Sequence, residues 1–595
     1  MTKLYSIVLN PGYDQTDLYS MVSTVTDELL HRSTFFIAEC TDEQALALEN
    51  HEAVKFCQSD GDVPEIEDAV VKRVDYNRDY NYLGMRKTSG TQLTSIGPHP
   101  KGNWGLIRHQ SQTNNTTFST DSYSSYSNSY IGDGVDIILQ IASVLHPSDP
   151  EFMTSGISRL QTSFQWNSLN GMSTLPNVNY MKSGVSSHAE AVSYITAGNT
   201  YGWATGAKLY IWPRDQMNAA NKKINSHGWD AFKLFHQQKG NSRPTIVVDA
   251  IQYINPFSYS KGSVIFRDSV YSEISPAGAP LTAADRSAII NSGINAYGNS
   301  EKPKFGSSYN VWSNNLGINM DAKNLTDQNK ADIFAHIEDI TNGNYYATYI
   351  QPIEEMTAAG VHHVSAAGNH NNTIVLPDNI DFNNGALTHM SLLVGSNNGS
   401  TPQPYTFIPL CRDDLHLAGD TIVCAALGSQ FGVDSGLNNK ETLASFSNRG
   451  DRIDACAAGD NIYMDLHVNG EYEATGTSFA SPNVAGMAAC VLGKYPSTTP
   501  AQLRKYFRDH AVGTDTLYDS GTQPVPSSPS GDAPYYSDPL GLRGYSGKIA
   551  YLDPNLSFNP STISNTTITS TQTVSASNKI NFTVSQINAK LASIS

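Results

Sequence analysis

The sequence predicts an α/β domain built on a mainly parallel central sheet, preceded by a small α+β unit. Three observations lead there. The runs Val135-Asp136-Ile137-Ile138-Leu139-Gln140-Ile141, Ile246-Val247-Val248-Asp249-Ala250-Ile251 and Val361 to Ala366 are nearly continuous in apolar residues, as strands covered on both faces are. Helical stretches around His188 to Ala197 and Tyr346 to Ala359 alternate with them. Finally, Val484, Ala485, Met487, Ala488, Ala489, Val491 and Leu492 make a segment apolar on nearly every face, which reads as a helix buried inside the domain.

The composition bounds the function classes. A chain of 595 residues, 39% hydrophobic and 10% aromatic, can bury one large core and one or two smaller units. Lys plus Arg number 38 against 55 Asp plus Glu, and a formal charge of −17 disfavours phosphate backbones and anionic membrane surfaces. Neither nucleic acid nor a membrane is expected as a partner. The six cysteines, at 40, 57, 411, 424, 456 and 490, lack CxxC spacing, so neither a zinc site nor a disulfide framework is suggested. The opening Met1 to Leu9 turns polar at Asn10, too soon for a signal-peptide core, and nowhere do eighteen apolar residues run together. The expected product is soluble and made in a cytoplasm.

Taken in order, Tyr5 to Leu9 alternates like a strand, Leu18, Met21, Val22, Val25, Leu29 and Leu30 fall at helical spacing, and Thr34 to Glu39 reads as a second strand. Thr41 with Gln44 forms a capping box ahead of Ala45, Leu46 and Leu48, and Val54 to Phe56 suits a further strand. Residues 1–59 are therefore one unit. Residues 60–99, acidic and then Tyr/Arg-rich, read as a linker, and Asn114 to Tyr130 as a low-complexity loop. Residues 255–344, rich in Tyr, Ser and Asn, look like an insertion, and 516–595 like a polar C-terminal extension.

The chemistry concentrates at Gly476-Thr477-Ser478-Phe479-Ala480-Ser481-Pro482-Asn483-Val484-Ala485-Gly486. Ser478 would sit in the first turn of the buried helix, where the dipole favours a developing oxyanion, with Pro482 just inside, where a missing N–H costs little. The bland reading is an ordinary helix cap. The whole string resembles the nucleophile motif of the subtilisin-like serine proteases, the subtilases. Asn103-Trp104-Gly105-Leu106-Ile107-Arg108, Ala367-Gly368-Asn369, Ala444-Ser445-Phe446-Ser447-Asn448-Arg449-Gly450 and Ala458-Gly459-Asp460-Asn461-Ile462 are similar to further segments of that family.

The resemblance implies a three-layer subtilisin-like domain over residues 100–515 and a ferredoxin-like, inhibitor-like propeptide over 1–59. It implies Ser478 as nucleophile, His188 as general base and the Asn369 amide as oxyanion donor, although the family's His-Gly-Thr is here His188-Ala189-Glu190. One group is missing. Anchoring on Asp149-Pro150-Glu151-Phe152 puts Ala142 where the family has its catalytic aspartate, and counting from Gly134 puts Ile141 there. Glu190, two residues from His188 on a helix, does not face it, and Asp136 lies at the far end of its strand. Asp249, an acid inside an apolar strand, is the candidate substitute, with a structural hydrogen bond as the alternative.

Two functions follow from this pattern. One is a serine endopeptidase, slow for want of its acid, acting on a peptide, a protein or its own N-terminal segment. The other is a pseudoprotease serving as a structural or binding component, in a setting that resembles subtilase-like proteins of tailed-phage particles. No cofactor is required by either. Structural calcium is compatible with the resemblance but has no located site.

Overall fold

A computed structural model describes residues 2–59, 102–112, 129–258, 347–374, 418–428, 443–516 and 548–564, with short gaps, together with isolated strands at 65–66, 70–73, 85–88, 92–95, 263–266, 269–272 and 407–409. The N-terminal unit contains β1 (Lys3–Leu9), β2 (Thr24–Asp27), β3 (Phe35–Cys40), α1 (Asp42–Glu49) and β4 (Val54–Ser59), paired antiparallel in the order β2-β3-β1-β4. Thr41 and Gln44 form the expected reciprocal cap on α1. The helix expected from Leu18 onward is instead a 3-10 turn, Gln15–Met21, followed by β2. The reason lies in Val22-Ser23-Thr24-Val25-Thr26, whose β-branched side chains fit a pleated surface better than a helical one. Leu29 and Leu30 lie outside the described residues. Ile7, Phe36, Ala38 and Leu48 close this unit's own core, and β1 rests against a helix of the larger domain, residues 347–358.

Two short strands follow, β5 (Glu65–Ile66) and β6 (Val70–Arg73). Both pair with the larger domain. Its elements are β7 (Asp136–Ile141), α2 (Ser187–Ala197), β8 (Lys208–Pro213), α3 (Ser226–Gln238), β9 (Thr245–Asp249), β10 (Gln252–Tyr253), α4 (Ala347–Ala358), β11 (His362–Ala366), β12 (Ile422–Leu427), β13 (Ala455–Ala458), β14 (Ile462–Leu466), β15 (Gly470–Thr475), α5 (Thr477–Lys494), β16 (Val512–Thr516) and β17 (Lys548–Ala550). The central sheet runs β8-β7-β9-β11-β12-β13-β17-β16, the first seven strands parallel and β16 antiparallel.

Helices cover both faces, as a parallel sheet requires. Ile137, Leu139, Val248, Val364 and Ala425 pack with Ala189, Val192 and Val484 of α2 and α5; Ile138 and Val247 pack with Trp229, Phe232 and Ile353 of α3 and α4. The domain is therefore a three-layer α/β structure. Helix α5 is the buried helix foreseen, with Thr477 through Leu492 all buried. Its close approach to α2 requires Gly486, where a Cβ would stand 2.6 Å from the Thr196 carbonyl oxygen and 2.7 Å from Trp203 Cβ.

The domain does not stop at residue 515. Strand β17 inserts between β13 and β16, and Ile549, Leu552 and Leu556 are fully buried in the main core. The polarity of residues 517–547 hides this strand from a composition reading, because the three apolar anchors are spread over eight residues. Within the expected insertion, strands at 256–258 and at 263–266 with 269–272 are described, while 273–346 lie outside the described residues.

Burying those three side chains contributes roughly 2 kcal/mol each, of the same order as the whole stability of a domain. A chain ending at residue 547 is expected to lose cooperative thermal unfolding, whereas one ending at 564 keeps a transition close to that of the full chain. Matching transitions for both truncations would contradict the structural role of β17.

Candidate active site

Ser478 is the second residue of α5, and the backbone that delivers it is held on three sides. Gly476, before the helix, adopts φ 154° and ψ 157°, a conformation only glycine takes readily. Its N–H donates to the Gly459 carbonyl at 2.7 Å. Next to it, Thr477 donates from N and from Oγ1 to Asn369 Oδ1 at 2.7 and 2.9 Å, and its Oγ1 accepts from the Gly368 N–H at 3.0 Å. The Asn369 amide therefore turns its oxygen toward Thr477 and its donor end away. Asn448 supports that loop, donating from Nδ2 to the Ala367 carbonyl at 2.7 Å and from N to the Gly368 carbonyl at 2.8 Å.

On the other flank, the His188 ring lies 5.6 Å from the Phe479 ring. Ser478 thus has Asn369 against the residue before it and His188 against the residue after it. His188 is the second residue of α2, 6% exposed, and among the described residues neither ring nitrogen has a hydrogen-bond partner. Desolvation pushes its pKa down to about 4, so the imidazole is neutral near pH 7. Deeper in, Ser481 Oγ donates to the Asp249 carbonyl at 3.3 Å, tying α5 to the end of β9. Pro482 is the sixth residue of α5, well past the first turn, so its missing N–H falls where the Ser478 carbonyl would have found its helical partner. The proline is not at the inexpensive position the sequence reading gave it.

The acids are accounted for one by one. Alternation along β9 puts Asp249 on the face of Val247, opposite the layer that holds His188. Its Oδ1 accepts from the Ile251 N–H at 3.1 Å, and its Oδ2 lies 3.7 Å from His363 Nε2. Asp249 is thus a structural group and no partner of His188. Asp136 is bound by Lys239 at 2.9 Å and Arg243 at 2.7 Å at the start of β7. Glu190 accepts from the Val468 N–H and from Asn469 Nδ2 at 2.9 and 2.5 Å. Strand β7 ends at Ile141, whose side chain belongs to the cluster of Ala189, Val192 and Phe479, so it, rather than Ala142, faces the His188 layer.

Two strand pairings are missed by the sequence reading. Ile66 and Glu65 pair antiparallel with Gln252 and Tyr253 just beyond β9, while Val70 to Arg73 pair antiparallel with Thr475 to Tyr472, ending three residues before Ser478. No signal in the linker's composition marks these six residues. The described residues contain no cluster of three or more His, Cys, Asp or Glu able to hold a metal ion.

Beyond the ends of the parallel strands, Ser478 thus lies between a residue held by the Asn369 carboxamide and one packed on the His188 imidazole. The Subtilase family model matches residues 167–531, and the chain belongs to that family. Halolysin of Haloferax mediterranei is 42% identical over 79 residues, 13% of this chain and 15% of that protein; subtilisin E of Bacillus subtilis is 40% identical over 88 residues, 14% and 23% respectively. The matched stretch is thus less than a quarter of either relative. Among solved structures, fervidolysin from Fervidobacterium pennivorans, a keratinolytic enzyme related to subtilisin, shares 14% identity over 93% of this chain and 61% of its own, with a TM-score of 0.46. The epidermin leader peptide processing serine protease of Staphylococcus aureus shares 13% over 93% and 97%, with a TM-score of 0.44.

The depressed His188 pKa has a consequence for stability. Folded His188 titrates near 4 and the unfolded residue at its ordinary 6.5, so the unfolded chain takes up the proton first. Stability is full above pH 6.5 and falls toward pH 4 by up to about 1.4 kcal/mol per pH unit for this one group. The denaturant midpoint of His188→Gln should therefore fall less steeply than that of the wild type over this window. Parallel slopes would contradict a buried neutral imidazole.

Proposed function

We propose that the chain is a serine endopeptidase homologue in which Ser478, His188 and Asn369 act together, slowly, on peptide bonds. The observation that carries this reading is the contact of Thr477 with Asn369 and of Phe479 with His188, on either side of Ser478. In the reaction, the Ser478 Oγ bonds to the substrate carbonyl carbon as its proton passes to the His188 imidazole. The new oxyanion is held by the donor end of Asn369 and the positive end of α5. Collapse breaks the C–N bond, His188 returns the proton to the leaving amine, and water repeats the sequence to release the acid.

The weakness of the site is equally physical. With Ile141 and Ala142 in the places open to an acid, no carboxylate among the described residues bonds the imidazole to orient it or stabilise its protonated form. Loss of that acid alone costs about 3 × 10⁴ in turnover in a subtilisin. The unpartnered nitrogens of His188 favour, as a second reading, a pseudoprotease in a structural role, for which a phage particle is the proposed setting.

The same reading names a first occupant of the cleft. Strand β5 pairs just beyond β9 and β6 pairs with the strand that leads to Ser478, and the three residues between them can span at most ~14 Å. The proposed self-processing cut therefore falls between Ile66 and Val70, with residues 1–59 acting as the attached propeptide. Intact mass of the purified chain should show a cut in this interval in the wild type and none in Ser478→Ala. An uncut wild type, or a cut at another place, would count against self-processing.

A fluorophosphonate probe separates the two readings. Covalent labelling of Ser478 in the wild type, lost in Ser478→Ala, is expected of the endopeptidase. Complete absence of labelling supports the pseudoprotease.

A further inference from the structure

We propose that Glu190 is a positioning residue that fastens the turn of the β14–β15 hairpin to α2, so that the helix carrying His188 and the strand leading to Ser478 move as one body. As a statement about catalysis it rests on the endopeptidase reading; as a statement about structure it does not.

Glu190 is fully buried two residues after His188, a place where a lone carboxylate would be costly without donors. Its two oxygens are met by the hairpin turn: Oε1 by the Val468 N–H at 2.9 Å and Oε2 by Asn469 Nδ2 at 2.5 Å. Asn469 Nδ2 also donates to the Val185 carbonyl at 3.1 Å, just ahead of α2. Further along, Tyr194 receives the His467 N–H at 3.0 Å and donates to Asp149 Oδ2 at 2.8 Å, and Tyr201 receives the Asp465 N–H at 3.0 Å. Three backbone donors of one hairpin arm and turn thus end on side chains from α2 and the segment just after it. Of these attachments, Glu190 alone meets two donors of the turn, one with each carboxylate oxygen.

The geometry explains why this matters for the site. Strand β15 ends at Thr475, and Gly476 and Thr477 lead directly to Ser478. Any slippage of the turn over α2 would shift the nucleophile's strand against the imidazole's helix. With no acid to orient His188, the position of α2 is what aims its ring.

The pair can be tested by exchange. Glu190→Gln leaves an amide N–H₂ facing one of the two donors of the turn, whereas Glu190→Gln with Asn469→Asp returns a carboxylate to the pair but sets it against the Val185 carbonyl that Asn469 Nδ2 bonds in the wild type. Native-state hydrogen exchange at Val468 and Asn469, the His188 imidazole NMR resonances and the rate of fluorophosphonate labelling of Ser478 are read in the full chain. The single variant is expected to lose at least tenfold in amide protection and in labelling rate and to move the His188 resonances, and the double variant, which still lacks the bond to the Val185 carbonyl, to recover part of each loss. Unchanged protection and unchanged His188 resonances in Glu190→Gln, or no recovery in the double variant, would overturn the assignment. If the wild type is never labelled, the endopeptidase reading fails, while exchange and resonances still decide the role of Glu190.

Discussion

The site depends on the bond between the Asn369 carboxamide and Thr477 at the first turn of α5. One side-chain oxygen accepts two hydrogen bonds from a single residue, fixing the start of an eighteen-residue helix, buried from Thr477 through Leu492, against the loop after β11. Each bond contributes only about 1 kcal/mol net, yet leaving the buried Thr477 N–H unpaired would cost its full desolvation penalty. The arrangement is therefore specific more than strong. It orients the Asn369 amide, sets the direction of Ser478 and places Phe479 against His188.

The surrounding fold serves that junction. Parallel strands ending together bring β9, β11 and the hairpin before α5 to one edge, where ligands of open α/β sheets bind. Helix α5 lies in the layer against four strands, and Gly486 lets it come close enough to α2 for the two site-bearing helices to share one core. At the far side, β17 completes the sheet from a segment more than fifty residues beyond α5.

Much of this was legible because it is local in sequence. The string around Ser478, the turn at Asn369 and the helix of His188 carry their signals in a few adjacent residues, and the buried strands announce themselves by continuous apolar runs. What stayed hidden has a common physical cause. A strand apolar on both faces gives no clue to which face a given side chain takes, so Asp249 could be set beside His188 on paper while its carboxylate meets His363 in the opposite layer. Strands β5, β6 and β17 are short and are stabilised by partners far away in the chain, which no local pattern reports. The purpose of Glu190 was hidden likewise, since its partners lie 278 and 279 residues further on.

The central proposal is that a hydroxyl, an imidazole and a carboxamide act together with, among the described residues, no acid behind the ring. A crystal structure of the chain with a peptide boronate tests it most directly. The account predicts boron bonded to Ser478 Oγ, a boronate oxygen within hydrogen-bond distance of Asn369 Nδ2, His188 alongside, and no carboxylate at the second imidazole nitrogen. A boronate bound elsewhere, or an Asp or Glu in contact with that nitrogen, would contradict it.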